Sequence, residues 1–119
     1  MNLCAPKIWL GLLGVPVAAL GYQLVAYALV PYSCDRQAPA PLHALSALVL
    51  LACVACTLLA AHEWLRLHAA APDGVDDDAP LPATRNRFLA VCATVVGGLF
   101  TLVVASQWMA AWVVSPCLQ

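Results

Sequence analysis

Charged side chains are scarce in this sequence. They make up 9% of its 119 residues, against about 25% in an ordinary soluble domain. The net charge is −1, which excludes the strongly basic surface that nucleic-acid-binding domains carry. The sequence also lacks a glycine-rich phosphate-binding loop, heptads and internal repeats of about 20–50 residues, so P-loop nucleotide binding, coiled coils and solenoids are excluded.

Charge is also missing from the interior of each long apolar run. Drug exporters and proton channels usually hold an ionisable group at mid-membrane, so its absence counts against both. A haem bound within one chain is not expected, because His43 lies at one end of the middle run and His62 and His68 at the other. The sequence offers no set of a nucleophile, a general base and an orienting residue that could form a catalytic site. We therefore predict no enzyme activity, no catalytic residue and no cofactor.

What the sequence has instead is three long apolar runs, in a chain that is 64% hydrophobic. A bilayer core roughly 30 Å thick takes about 20 apolar residues in a helix. Lipid offers backbone groups no hydrogen-bond partner, so each run is expected to be helical. We predict an all-α integral membrane protein, a single domain over 1–119 with three transmembrane helices in an up-down-up bundle. The helices are expected over about 8–30, 42–67 and 86–114.

Prolines and polar residues set the expected limits of these helices. Pro31 and the polar residues after it are expected to end the first helix, and Pro16 to bend it. Thr84 or Asn86 is a candidate cap for the third helix. Residues 69–85, rich in proline, glycine and aspartate, are predicted to form a mobile cytoplasmic linker.

Two short groups of charged residues can be interpreted from their spacing in the sequence. The run Asp76, Asp77 and Asp78 lacks the alternating ligands and closing glutamate of a calcium loop, which favours a solvated loop over a metal site. Glu63 and Arg66 are three residues apart and are expected to pair near the membrane edge.

Each helix carries a stripe of small or polar residues, which would let a neighbouring helix approach closely. The predicted stripes are Gly11, Gly14, Ala18, Gly21 and Ala28 in the first helix; His43, Ser46, Cys53, Thr57, Ala60 and Trp64 in the second; and Thr94, Gly97, Gly98, Thr101, Ala105 and Trp108 in the third.

Gln23, Tyr27 and Gln107 lie off these stripes. By helical rise, Gln23 and Gln107 are level in the membrane. Either the two amides bond each other, or they face another protein. We predict that these three residues form a partner-binding face.

The basic residues predict the orientation. Lys7, Arg66, Arg85 and Arg87 fall on one side of a three-span topology and Arg36 alone on the other. The positive-inside rule then places the amino terminus in the cytoplasm and the carboxyl terminus in the periplasm of a bacterium, with the chain in its inner membrane.

The cysteines lie at different predicted depths in the membrane. Cys34 and Cys117 each follow a proline just beyond an outward helix end, and we predict a disulfide between them. With His43 they are also candidate ligands of copper or zinc, although we favour the interpretation that these residues bind no metal. Cys53 and Cys56 form a C-x-x-C pair within the membrane, where a thiolate would be poorly solvated; we interpret both as packing residues.

Several segments together carry a resemblance to a known group of proteins. The segments are ALVPYSC after the first helix, PLHALSALVLL opening the second, and RFLAVCATVVGGLF, SQW and SPC along the third. In them the sequence resembles small three-helix bacterial membrane proteins that accompany haem-copper (cytochrome c) terminal oxidases. The resemblance implies a subunit or assembly partner of a respiratory complex, and it brings no catalytic residues with it.

The expected function is therefore that of a non-catalytic accessory subunit of a larger membrane complex, with a cytochrome oxidase as the candidate complex. One alternative is an outward-facing thiol or copper-handling factor that uses Cys34, Cys117 and His43. Another is a small self-associating transporter or channel. The sequence alone gives neither the identity of the partner nor the oligomeric state.

Overall fold

The computed structural model describes residues 4–70, 81–114 and Cys117, and all of the regular structure in these ranges is helical. The first long helix consists of α1 (Cys4–Trp9), a π-helical segment (Leu10–Gly14) and α2 (Val15–Asp35). It is followed by α3 (Ala40–Ala70) and α4 (Leu81–Val113).

Three helices are long and apolar enough to cross a membrane: Pro6–Asp35, Ala40–Ala70 and Thr84–Val113. The molecule is a narrow rod with extents of 62 × 26 × 16 Å, and its long dimension exceeds the roughly 30 Å of a hydrocarbon core. The prediction of an all-α chain with three helices of spanning length is confirmed, and these helices indicate a multi-pass membrane protein.

The first helix does not end at Pro31, as the sequence predicted. Pro31 lies inside α2, which continues to Asp35. Proline cannot donate the N–H that would bond the carbonyl four residues earlier, but an apolar helix with close neighbours tolerates this loss. The turn comes instead at Gln37, whose φ of 50° is left-handed, and Arg36 N–H closes the last turn on the carbonyl of Tyr32 at 3.2 Å.

The predicted linker is shorter than expected from composition. Residues 69–70 complete α3 and residues 81–85 begin α4. Thr84 and Asn86 therefore lie within α4 and do not cap it, so that prediction was wrong. The rest of the linker, including Asp76, Asp77 and Asp78, lies outside the described residues.

Pro16 accounts for the π-helical segment. It stands in the first turn of α2, directly after Leu10–Gly14. A proline ring clashes with the carbonyl four residues before it, and a widened turn relieves that clash. The helix thus accommodates Pro16 without ending.

Buried residues form two clusters along the rod. One contains Ile8, Ala60, Ala90 and Ala93. The other contains Ala19, Tyr22 and Val104. The first cluster lies toward the end that holds Glu63, here called the Glu63 end. The second lies toward the end that holds Cys34 and Cys117, here called the disulfide end.

The predicted stripes hold to different degrees. In α3, Ser46, Cys53 and Ala60 are buried, as predicted. In the first helix the stripe was wrong beyond Gly11, because a Cβ on Gly21 would meet nothing within 4 Å while Val15, Ala19 and Tyr22 are buried instead.

The stripe of α4 was correct at some positions and wrong at others. Gly97 packs on Thr57 of α3, and a Cβ on the adjacent Gly98 would meet nothing within 4 Å. Ala90, Ala93 and Val104, which the stripe did not include, are fully buried.

Candidate functional site

A groove of about 450 Å³ runs between α2 and α4 on the disulfide side of Tyr22. Gln23 and Tyr27 of α2 form one wall and Gln107 of α4 the other, with Leu42 of α3 between them. We call it the glutamine groove. The structure thus brings together the three residues that the sequence assigned to a partner-binding face.

The two glutamines do not bond each other. Gln23 is exposed and Gln107 half-buried. Among the residues that the structure describes, neither side-chain amide has a hydrogen-bond partner. An amide left without a partner in an apolar medium costs about 2–7 kcal/mol. The groove therefore presents two amides, each a donor and an acceptor, to whatever occupies it.

Tyr27 adds a large surface to the groove. Its side chain is 86% exposed, although its helix is apolar enough to lie in lipid. Pro31 follows it by one turn and lies inside α2, so the carbonyl of Tyr27 lacks the N–H that a non-proline residue would supply.

A buried hydrogen-bond chain fixes the base of the groove. The Tyr22 hydroxyl lies 2.8 Å from Ser46 Oγ, and Ser46 donates to the carbonyl of Leu42 at 2.8 Å. A serine hydroxyl has one hydrogen, so Tyr22 is the donor to Ser46. Tyr22 and Leu42, which both line the groove, are each 6% exposed. These bonds fix α2 against α3 and give the groove a rigid base.

Three further contacts hold the disulfide end together. Cys34 and Cys117 form a disulfide with a Cα–Cα distance of 5.4 Å, in agreement with the sequence prediction. Trp108 Nε1 donates to His43 Nδ1 at 3.1 Å, and the His43 ring lies 4.6 Å from that of Trp112. The disulfide joins the end of α2 to the segment after α4, and His43 joins α3 to α4.

These contacts leave little for a metal at the disulfide end. With their sulfur atoms bonded together, Cys34 and Cys117 offer no thiolate, and His43 already accepts a hydrogen bond. Within residues 4–70, 81–114 and 117, no three His, Cys, Asp or Glu side chains cluster as metal ligands. The candidate ligand set of Cys34, His43 and Cys117 would need both cysteines reduced.

A buried ion pair at the Glu63 end was missed by the sequence reasoning. Glu63 is fully buried, and Lys7 Nζ donates to its Oε1 at 2.9 Å. The predicted pair of Glu63 with Arg66 is also present, at the longer distance of 3.7 Å. Lys7 and Glu63 are 56 positions apart in the sequence, so no local pattern links them. The one available signal was the predicted topology, in which the start of the first helix lies beside the end of the second.

Three of the other cysteines, Cys53, Cys56 and Cys92, lie apart from the groove. Cys53 is buried and Cys56 and Cys92 are half-buried, and all three are free thiols. Cys53 belongs to the stripe of α3 that packs inside the bundle.

Comparison with known proteins adds no assignment: no protein-family model, no curated protein and no solved structure matches this chain.

Proposed function

We propose that this chain is a non-catalytic accessory subunit or assembly partner of a larger bacterial membrane complex, and that it docks through the glutamine groove. The observation that carries the proposal is the pair of unbonded amides of Gln23 and Gln107 in one groove. Polar groups in lipid need partners, and interhelical hydrogen bonds from glutamine are a recognised means of helix association.

The occupant we propose is a membrane-spanning helix of the partner. The groove lies along the bundle axis between two helices, α2 and α4, and its walls are otherwise apolar side chains such as Val30 and Ala111. An apolar helix would pack against the apolar walls, and one polar side chain at the depth of the two glutamines would bond their amides. The candidate complex is a respiratory cytochrome oxidase, on the resemblance described above.

The proposed topology is up-down-up in a bacterial inner membrane, with the amino terminus cytoplasmic and the carboxyl terminus periplasmic. Two contacts support the alternating direction: Lys7 meets Glu63 at one end, and Cys34 meets Cys117 at the other. The distribution of basic residues supports the orientation. In that orientation the disulfide end faces the oxidising side.

Copurification in a mild detergent, with the bound proteins identified by mass spectrometry, tests this function. We expect the wild-type chain to retain a larger membrane complex and the double variant Gln23→Leu/Gln107→Leu to retain several-fold less, since a hydrogen bond between membrane helices contributes about 0.6–2 kcal/mol. Leu24→Ala is the control, because Leu24 is 75% exposed and does not line the groove.

Two results would contradict the proposal. A wild-type chain that runs alone in mild detergent has no stable partner. A chain that captures only a differently tagged copy of itself is a self-associating protein, as in the transporter or channel alternative.

A further inference from the structure

The two walls of the glutamine groove are joined covalently at one end. Val30 of the α2 wall precedes Cys34 by four residues, about one helical turn. Ala111 of the α4 wall precedes Cys117 by six. Toward the middle of the bundle the same walls meet where Tyr22 packs with Val104. The open groove therefore lies between two points at which its helices are joined: the packing of Tyr22 with Val104 on one side and the disulfide on the other.

The other contacts at the disulfide end do not replace this bond. The hydrogen bond and ring contact of His43 hold α4 to α3, through Trp108 and Trp112. The chain between Asp35 and Ala40 holds α2 to α3. Neither joins α2 to α4 directly. Once the disulfide is broken, the two walls are held to each other beyond Tyr22 only indirectly, through α3.

We propose that the Cys34–Cys117 disulfide is a redox switch for docking, so that the groove accepts its partner helix only after this bond has formed. The inference rests on the proposed function and concerns its regulation. A preorganised groove binds more tightly because the cost of ordering its walls has already been met during folding. The two cysteines are oxidised by thiol–disulfide exchange with an external disulfide, which takes up their two electrons and two protons and becomes two thiols. This oxidation precedes assembly, and reduction releases the partner.

The reductant that reverses the switch is a dithiol. Its thiolate attacks the Sγ of Cys117, which is exposed, whereas Cys34 is half-buried. The Cys34–Cys117 bond breaks, Cys34 leaves as a thiolate and takes up a proton, and a mixed disulfide forms at Cys117. The second thiol of the reductant then attacks the reductant's other sulfur atom, which is bonded to Cys117 in the mixed disulfide. Cys117 is released as a thiolate and takes up a proton. The chain gains two electrons and two protons, and the dithiol becomes a disulfide.

The test begins with the complex purified in mild detergent, which is treated with dithiothreitol, a dithiol. Alkylation and mass spectrometry establish that Cys34 and Cys117 have become thiols. We expect about tenfold less retained partner, the effect of losing roughly 1.4 kcal/mol of preorganisation, and recovery after reoxidation. Cys34→Ser and Cys117→Ser should show the same loss without reductant. Cys92→Ser removes a free thiol of α4 and should retain the partner.

The outcomes separate this inference from the proposed function. If wild type retains no partner under any condition, the proposed function fails. If partner is retained equally after complete reduction and in Cys34→Ser, docking stands and the redox switch is overturned. Alkylation of both cysteines before any reduction also overturns it. If Cys34→Ser loses its helical circular dichroism, reduction of the folded wild-type complex decides the question.

Discussion

Gly97 of α4 lies directly against Thr57 of α3. A Cβ placed on Gly97 would lie 2.6 Å from Oγ1 of Thr57 and 3.3 Å from its Cβ and Cγ2. Threonine is stiff about χ1, and the Thr57 hydroxyl already donates to the carbonyl of Cys53. Rotation of the side chain therefore makes no room, and α3 and α4 pack at a spacing that requires glycine here.

We expect Gly97→Ala to lower the free energy of unfolding by about 1–3 kcal/mol, because overpacking forces the helices apart. Gly98→Ala is the matched control, since an added Cβ there meets nothing within 4 Å. It should be neutral or stabilising by about 0.5–1 kcal/mol, the gain in helix propensity. Thermal unfolding in detergent micelles, followed by circular dichroism, measures both. Equal midpoints for the two variants would show that the contact does not set the helix spacing.

Periodicity gave three helices and the correct stripe for α3, but it did not give the packed face of the first helix. Small residues recur on several faces of the first helix. A helical periodicity of 100° per residue does not show which of these faces packs against a neighbouring helix. That choice depends on tertiary contacts, such as the bond from Tyr22 to Ser46. The π-helical segment at Leu10–Gly14 also shifts the phase of everything before it.

The candidate site was predictable in part. The depth of Gln23 and Gln107 follows from helical rise, so their common level could be predicted. Whether they bond each other depends on the rotation of α2 and α4 about their axes, which no local pattern determines. The Lys7–Glu63 pair was missed for a related reason: Arg66 offered a local partner at i, i+3, whereas the closer cation comes from another helix.

A second close approach occurs where three helices meet at Gly11. An added Cβ would lie 2.8 Å from the Cβ of Ala60 and 3.4 Å from that of Ala93. Those Cβ atoms are bonded directly to the backbones of α3 and α4 and cannot rotate away. Gly11→Ala should therefore destabilise the bundle by about 1–3 kcal/mol.

Gly14→Ala is the control within the same π-helical segment, because its Cβ would make one ordinary contact at 3.8 Å, to Leu10. Chemical or thermal unfolding in micelles should rank the two variants clearly. A Gly14→Ala variant as unstable as Gly11→Ala would assign the effect to the π-helical backbone and not to packing.

The Lys7–Glu63 pair is expected to stabilise the Glu63 end. Removing one partner of a fully buried ion pair costs about 3–5 kcal/mol. The Lys7 side chain is 42% exposed, so solvent screening reduces the loss expected for Lys7→Met to about 1–3 kcal/mol. Glu63→Gln should cost less, because the freed ammonium of Lys7 can be hydrated.

Arg66→Met is the matched control for this pair. It removes the same charge at the same end, but Arg66 is 63% exposed and 3.7 Å from Glu63, so it should cost less than about 0.5 kcal/mol. A double-mutant cycle of Lys7→Met and Glu63→Gln should give a coupling of about 0.5–3 kcal/mol. Zero coupling would mean that the two side chains do not act as a pair.

The orientation in the membrane is predicted by two independent arguments. Lys7 meets Glu63, and Arg87 donates to His68 at 2.6 Å, so basic residues from three helices share one end. Arg36 lies at the other end, over the ring of Tyr32 at 4.8 Å. From the positive-inside rule we expect the Glu63 end in the cytoplasm. Separately, a disulfide persists on the oxidising side, so we expect the disulfide end in the periplasm.

Reporter fusions test this orientation directly. A reporter that is active only in the periplasm should be silent when fused after Gly74 and active when fused after Gln119, and a reporter active only in the cytoplasm should give the opposite pattern. Periplasmic activity at Gly74 would reverse the topology. The disulfide would then lie in a reducing compartment, where Cys34 and Cys117 would be kept as thiols. Reporter activity and cysteine alkylation must therefore agree, and a cytoplasmic disulfide end with a stable bond would contradict both arguments at once.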